Sequence, residues 1–303
     1  MTITELLLAL AVVFVWGTNF VVIKIGLGDF PPLLFAALRF AFAALPWMLF
    51  IRRPAVRWRY LIAFGLFLGV GQFGLLFIAM RADITPGLAS LVMQVQVFFT
   101  VALSLWLFQE KIHARNLAGI ALAFGGLAII GMHVDASTTA RGLTLLLFAS
   151  LSWACANVTV KYAARAHGSI NVLAFMIWSS AFSVPPLVAL AYVFEGPEAI
   201  TTAISQAGAG AWVAVLWQSL GNTLFGFGVW NWLLARHSAA VFTPTALLVP
   251  VFGMGASTLV LHEPLHGWKL AAASLIVTGL AVNMFGGYLL ARRKSVVGSD
   301  ERE

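Results

Sequence analysis

Three residue patterns in this 303-residue chain could carry chemistry. The first is His262-Glu263-Pro264-Leu265-His266, which matches the H-E-x-x-H pattern of zinc proteases. There, two histidines one helical turn apart hold the metal and the glutamate acts as general base. That arrangement needs a regular helix and a third ligand, and Pro264 falls inside the five residues. A membrane zinc protease therefore stands as a remote alternative, and the sequence calls for no catalytic set, metal or cofactor. The second pattern pairs amides with aromatic rings at helical spacing. Trp16, Asn19, Phe20, Ile23 and Lys24 share one helical face, as do Trp153, Asn157 and Lys161. Gln218 and Asn222 share a face beside Trp217, and Gln72 adjoins Phe73. Gln94 and Gln96 lie two residues apart, so a regular helix would turn only one of them, Gln94 in this reading, into a given cavity. The third pattern is where the titratable groups lie. All eleven acids and all six histidines fall at segment ends, in loops or in the tail.

The elements that position these residues follow from composition. Hydrophobic residues make up 61% of the chain and charged residues 10%, against roughly 25% charged in soluble domains. A membrane span needs about 20 mostly apolar residues. Ten such segments are expected, at 5–25, 33–51, 60–80, 85–108, 114–132, 142–162, 170–194, 211–234, 239–261 and 267–290. Their runs are nearly continuous rather than alternating, which specifies helices and not a barrel. The first is expected to be a span and not a cleaved leader, because no basic stretch precedes it and it has an internal counterpart. Cys155 is the single cysteine, so no intramolecular disulfide can form.

That counterpart is part of a repeat. Trp16-Gly17-Thr18-Asn19-Phe20-Val21-Val22-Ile23-Lys24 recurs 137 residues later as Trp153-Ala154-Cys155-Ala156-Asn157-Val158-Thr159-Val160-Lys161. Gln109-Glu110-Lys111-Ile112-His113 recurs as His262-Glu263-Pro264-Leu265-His266 at an offset of 153. Each glutamate is expected to cap the helix that follows it. Five spans per half is an odd number, so residues 139–303 would enter the membrane from the side opposite to residues 1–138. The expected fold is all-α: ten transmembrane helices in two inverted five-helix repeats around a central cavity. Inverted repeats of this kind accompany alternating access, with the substrate at the midplane between the halves.

The net charge of +7 gathers in alternate loops rather than in a nucleic-acid-binding patch. Arg52, Arg53, Arg57 and Arg59 share one loop, and the tail carries Arg292, Arg293 and Lys294. Positive loops stay in the cytoplasm, which places both termini there. The equivalent loop of the other half, Glu195 to Gly210, has two glutamates and neither lysine nor arginine. With no carboxylate or histidine inside a span, flux without obligatory proton coupling is the expected mode.

The run Trp16-x-x-Asn19-Phe20-x-x-x-Lys24, the Leu38-Arg39-Phe40 triplet and the glutamate loops at 110 and 263 resemble the drug/metabolite transporter superfamily, EamA family, over nearly the whole chain. Within it the chain is similar to bacterial aromatic amino acid exporters. The resemblance implies export of amino acids and related metabolites across a bacterial inner membrane, with a small-molecule substrate and the lipid bilayer as partners. The family's small multidrug relatives use a glutamate inside the first span, whereas this chain has only Glu5 at its start; export of hydrophobic cations or drugs is the alternative. Candidate substrate-binding residues are Trp16, Asn19, Gln72, Gln94, Trp153, Asn157, Trp217, Gln218 and Asn222. Lys24 and Lys161, which snorkelling to the interface also explains, are lesser candidates for a substrate carboxylate. Tags fused at residues 1 and 303 are expected to be cytoplasmic and a tag within 196–209 external; surface labelling of both termini would overturn this topology.

Overall fold

The computed structural model describes residues 2–109, 114–237 and 243–300, with side chains followed to residue 284. The Glu110–His113 loop and the start of the ninth expected span lie outside the described residues. Described secondary structure is helical, apart from one isolated bridge between Asp135 and Thr138. The helices are α1 (Ile3–Asp29), α2 (Pro32–Met48), α3 (Trp58–Ala82), α4 (Pro86–Phe108), α5 (Ala114–Met132), α6 (Ala140–His167), α7 (Val172–Phe194) and α8 (Pro197–Gln206). Next, α9 runs through Ala209–Leu216, Trp217–Phe225 and Gly226–Arg236. A 3₁₀ stretch, Thr243–Leu248, then leads into α10 (Val249–Leu261), and α11 (Gly267–Asp300) closes the chain.

Among the described residues, six helices are long and apolar enough to cross a membrane: α1, α3, α4, α6, α7 and α11. A seventh crossing results if α8 and α9, bent by 101° at their junction, count as one. Of the remaining apolar helices, α5 matches its expected segment, while α2 and the described part of the ninth segment are shorter than the sequence suggested. At 17 residues, α2 rises about 26 Å at 1.5 Å per residue, a little less than a hydrocarbon core of about 30 Å. The stretch from Glu195 to Gly210, expected as a loop, holds helix α8.

Helix regularity breaks at four places. Leu66–Gly74 of α3 and Trp217–Phe225 of α9 are π-helical. Met93–Val95 of α4 and Thr243–Leu248 before α10 are 3₁₀. Among the described residues, two non-glycines adopt left-handed backbone angles, Gln109 (φ 52°) after α4 and His262 (φ 55°) after α10. Packing partners follow the same rhythm: α1 lies against α9 and α10, α6 against α3 and α4, α2 against α7, and α5 against α11. The last pair approaches closely because a Cβ on Gly119 would stand 2.7 Å from the Gly279 carbonyl oxygen, and one on Gly279 would stand 2.6 Å from that of Gly119.

Carboxylates fasten one end of the bundle. Both oxygens of Glu195 accept from the first amides of α2, Leu33 N at 2.6 Å and Leu34 N at 3.0 Å. Asp29 accepts from Gly208 N, at the start of α9, at 2.9 Å. Glu263 is buried and accepts from Gly87 N (3.0 Å), Thr85 Oγ1 (2.5 Å), Lys269 Nζ (2.8 Å) and Ser257 Oγ. The helix it caps is thus α4 in the other half of the chain, not the one that follows it. The reason is geometric: the left-handed turn at His262 sends the chain toward the orphan amides that begin α4. Burial opposes ionisation of Glu263. The Lys269 ammonium, the Ser257 and Thr85 hydroxyls and the Gly87 amide outweigh burial and hold the carboxyl below its ordinary value. A depressed carboxyl stabilises the fold above its unfolded pKa, and that contribution fades as pH falls through the folded value. Glu263→Gln should therefore cost about 3–5 kcal/mol near pH 7, since it leaves Lys269 buried and unpaired. Thermal melts across pH should show the gap from wild type closing in acid, and a gap independent of pH would reject the assignment.

Candidate functional site

A cavity of about 400 Å³ opens where the irregular stretches meet. Trp16, Asn19 and Phe20 of α1 form one wall, and Gln72 and Phe73 of the α3 π stretch another. Ser90, Met93, Gln94 and Gln96 come from α4; Trp153, Asn157 and Val160 from α6; Val172 and Met176 from α7. Asn222, Phe227, Trp230 and Asn231 of α9, with Ala246 and Val249, complete the lining.

Its amides hold one another. Asn157 Nδ2 donates to Gln96 Oε1 at 2.9 Å and to Thr100 Oγ1 at 3.3 Å. Gln94 Nε2 donates to the Ala246 carbonyl at 3.4 Å. Asn19 Oδ1 accepts from Gln218 Nε2 at 2.7 Å. Trp16 Nε1 donates to the Asn222 carbonyl at 3.2 Å, and the Trp16 ring lies 5.4 Å from Phe227 and 5.1 Å from Trp230, both tilted. A Cβ on Gly226 would stand inside van der Waals distance of Trp16 Nε1, so glycine is what lets α1 bring this indole to α9.

Seven of the nine candidate residues line the cavity: Trp16, Asn19, Gln72, Gln94, Trp153, Asn157 and Asn222. Trp217 and Gln218 are not among the lining residues. Gln218 is fully buried, its Nε2 engaged with Asn19 Oδ1. Gln96 lines the cavity together with Gln94, against the expectation that only one could. In the 3₁₀ turn between them, residues two apart stand about 120° from each other instead of about 160°. Lys24 Nζ donates to the Met80 and Arg81 carbonyls, both at 3.0 Å, at the C-terminal turn of α3. Lys161 Nζ reaches Ser104 Oγ at 3.4 Å and lies 4.5 Å from the Phe108 ring. None of those partners lines the cavity. Phe227, Trp230 and Asn231 were not in the candidate set; their i, i+3, i+4 spacing of rings and amide was the signal. Met93 and Met176 carried no signal beyond apolar character.

The five residues 262–266 lie between α10 and α11, outside any helix. The shared helical face that zinc chemistry requires is missing there, and Glu263 is engaged with α4. Among the described residues, no group of three or more histidines, cysteines and acids could hold a metal ion.

A cavity lined by amides and aromatic rings among apolar helices suits a small molecule, and comparison with known proteins places the chain in a family. The EamA-like transporter family model matches residues 3–132 and 140–285. The chain belongs to the EamA-like transporter family. A Salmonella typhimurium protein named "Probable amino-acid metabolite efflux pump" is 39% identical over 285 residues, covering 92% of this chain and 94% of that protein. An Escherichia coli protein of the same name is 39% identical over 295 residues, covering 96% and 98%. An uncharacterized Bacillus subtilis transporter is 30% identical over 297 residues, covering 94% and 97%. A solved crystal structure shares the fold at TM-score 0.62 and 21% identity, over 97% of this chain and 99% of that one. This EamA-like chain is accordingly a multi-pass membrane transporter.

Gly226→Ala is expected to displace Trp16, costing about 1–3 kcal/mol by overpacking and lowering flux. Asn157→Ala removes the shorter of the two donors to Gln96 Oε1, leaving Thr100 Oγ1 at 3.3 Å, and should cut flux by up to about tenfold, the value of one hydrogen bond. Transport in proteoliposomes, normalised to folded protein, reads both. Wild-type flux in both variants would show these contacts to be packing only.

Proposed function

We propose that this EamA-like transporter exports amino acids, aromatic or other large neutral ones, and related metabolites across a bacterial inner membrane. The observation that carries the reading is the cavity. Its volume, about 400 Å³, lies within the range of about 300–1,000 Å³ typical of small-ligand sites. Tryptophans and phenylalanines offer faces for an apolar side chain or an ammonium group, and amides offer both donors and acceptors for a zwitterion. The named function of the Salmonella and Escherichia relatives supports the same substrate class.

The mechanism proposed is alternating access between two inverted five-helix repeats, residues 1–138 and 139–303, making ten spans. Several features support it. The family model matches twice. The π stretches begin 151 residues apart, at Leu66 and Trp217. The left-handed residues Gln109 and His262 are 153 apart. Packing of α1 on α9 and α10 is mirrored by packing of α6 on α3 and α4. In this arrangement both termini are cytoplasmic, as the arginine loops require, and Trp16, Asn19, Gln72, Gln94, Trp153, Asn157 and Asn222 contact the substrate. Trp217 and Gln218 support that wall from behind.

The described lining holds amides and no carboxylate, so transport is proposed to run without obligatory proton coupling. The Trp16–Phe227–Trp230 cluster would also suit a hydrophobic cation by cation–π attraction, which is the second reading. The expected result is exchange of labelled phenylalanine by proteoliposomes with equal pH on both sides. Strict dependence on a pH step would reject uncoupled flux. Inhibition by a quaternary ammonium dye with none by phenylalanine, tryptophan or methionine would reject the amino acid reading in favour of the cation.

A further inference from the structure

Among the described residues, Arg39 is the largest fully buried side chain, at 0% exposure, well inside α2. Its guanidinium lies over the Phe73 ring, 3.4 Å from the centroid, and 5.2 Å from that of Phe40. Nη2 donates to Thr223 Oγ1 at 3.2 Å, while Nε and Nη1 have no acceptor among the described residues. Among the described residues, no carboxylate lies within ion-pair distance of it. An ionised group held in the membrane interior without a counter-ion is costly and marks a functional position. The ring face accounts for part of the compensation. It leaves unfilled the planar donor fork, whose geometry matches a carboxylate.

The surroundings connect this fork to the cavity. Phe73 and its neighbour Gln72 both line it, and so does Asn222, the neighbour of Thr223. Arg39 is gripped from two sides by the π-helical stretches: Phe73 belongs to that of α3, and Ser219 and Thr223 to that of α9. Ser219 Oγ donates to the Arg39 carbonyl at 2.9 Å. A π stretch carries one extra residue per turn, so sliding that extra residue along the helix re-aims the side chains within it. Phe73 both covers the guanidinium and lines the cavity, so re-aiming it would turn the guanidinium's cover away on the cavity side. Gln72 lines the same space, and its buried Oε1 accepts no hydrogen bond among the described residues.

We infer that Arg39 is the carboxylate-binding residue of the cavity, screened by Phe73, with Gln72 Oε1 receiving the substrate's ammonium group. This rests on the amino acid reading above, and it displaces Lys24 and Lys161 as carboxylate partners, since both direct their ammonium groups to atoms outside the lining.

The test uses the full-length protein in liposomes exchanging labelled phenylalanine, with phenylalanine or phenylalaninamide as competitor. Wild type should prefer the carboxylate by about tenfold, the size expected of a charge-assisted hydrogen bond. Arg39→Gln, shown by its melting temperature to be folded, should abolish the preference, Arg39→Lys should restore part of it, and Phe73→Ala should increase it. A folded Arg39→Gln protein with the wild-type preference overturns the inference and leaves the amino acid reading intact. Should Arg39→Gln not fold, an unchanged preference in Phe73→Ala overturns it. Wild type that exchanges no amino acid rejects the amino acid reading itself, and this inference with it.

Discussion

Hydrocarbon offers a peptide group no partner, so every backbone amide and carbonyl of a membrane-embedded chain must be satisfied by the chain itself. The rest of this structure depends on how that requirement is met where helices end or lose regularity. At one end of the bundle it is met by carboxylates. Glu195 closes the start of α2, Glu263 that of α4 and Asp29 that of α9, while Asp83 holds the Thr139 hydroxyl that caps α6. Glu195, Glu263 and Asp29 meet unsatisfied amides and the positive end of a helix dipole, so those contacts are favourable on both counts. Glu195, Glu263 and Asp29 also join stretches of chain more than 160 residues apart, making the caps tertiary fasteners.

Irregular backbone deeper in the bundle is satisfied by hydroxyls and amides from neighbouring helices. Ser183 Oγ donates to the Gly65 carbonyl and Ser152 Oγ to that of Phe67, both at 2.8 Å, where α3 passes into its π stretch. Thr223 Oγ1 donates to the Gln218 carbonyl at 2.9 Å within the α9 stretch, and Gln94 reaches the Ala246 carbonyl. Non-helical backbone at membrane depth is tolerated where protein covers it or where it lines a cavity. Here both conditions hold: the breaks in α3, α4 and α9 and before α10 all contribute residues to the cavity wall. The features that loosen the helices are the ones that create the binding space.

Charge inside the bundle follows the same economy of partners. Lys24 terminates α3 by holding its last carbonyls, and the Lys269–Glu263 pair is buried with hydrogen bonds to spare. Arg39 departs from this pattern, with two donors unused and an aromatic face in place of a counter-ion. A carrier that must bind and then release a charged substrate has use for such incompletely compensated charge, because a fully paired group would have no affinity left to offer.

The sequence by itself determined the chemistry and the class. Apolar runs near 20 residues admit only membrane helices, and the spacing of Trp16 and Asn19, or of Trp153 and Asn157, puts amides and rings on shared faces whatever the packing. The recurrence of Trp16–Lys24 at Trp153–Lys161 is readable without any structure, and the family model likewise falls on the chain twice. Tertiary structure decided what pattern reading could not, for one physical reason: helical periodicity assumes 3.6 residues per turn. Where the turn tightens at Met93–Val95, Gln94 and Gln96 both reach the cavity. Long-range partners were equally invisible to local spacing. Only the folded chain brings Glu263 to α4 and lays Arg39 against Phe73, since both contacts depend on helices far apart in sequence coming side by side.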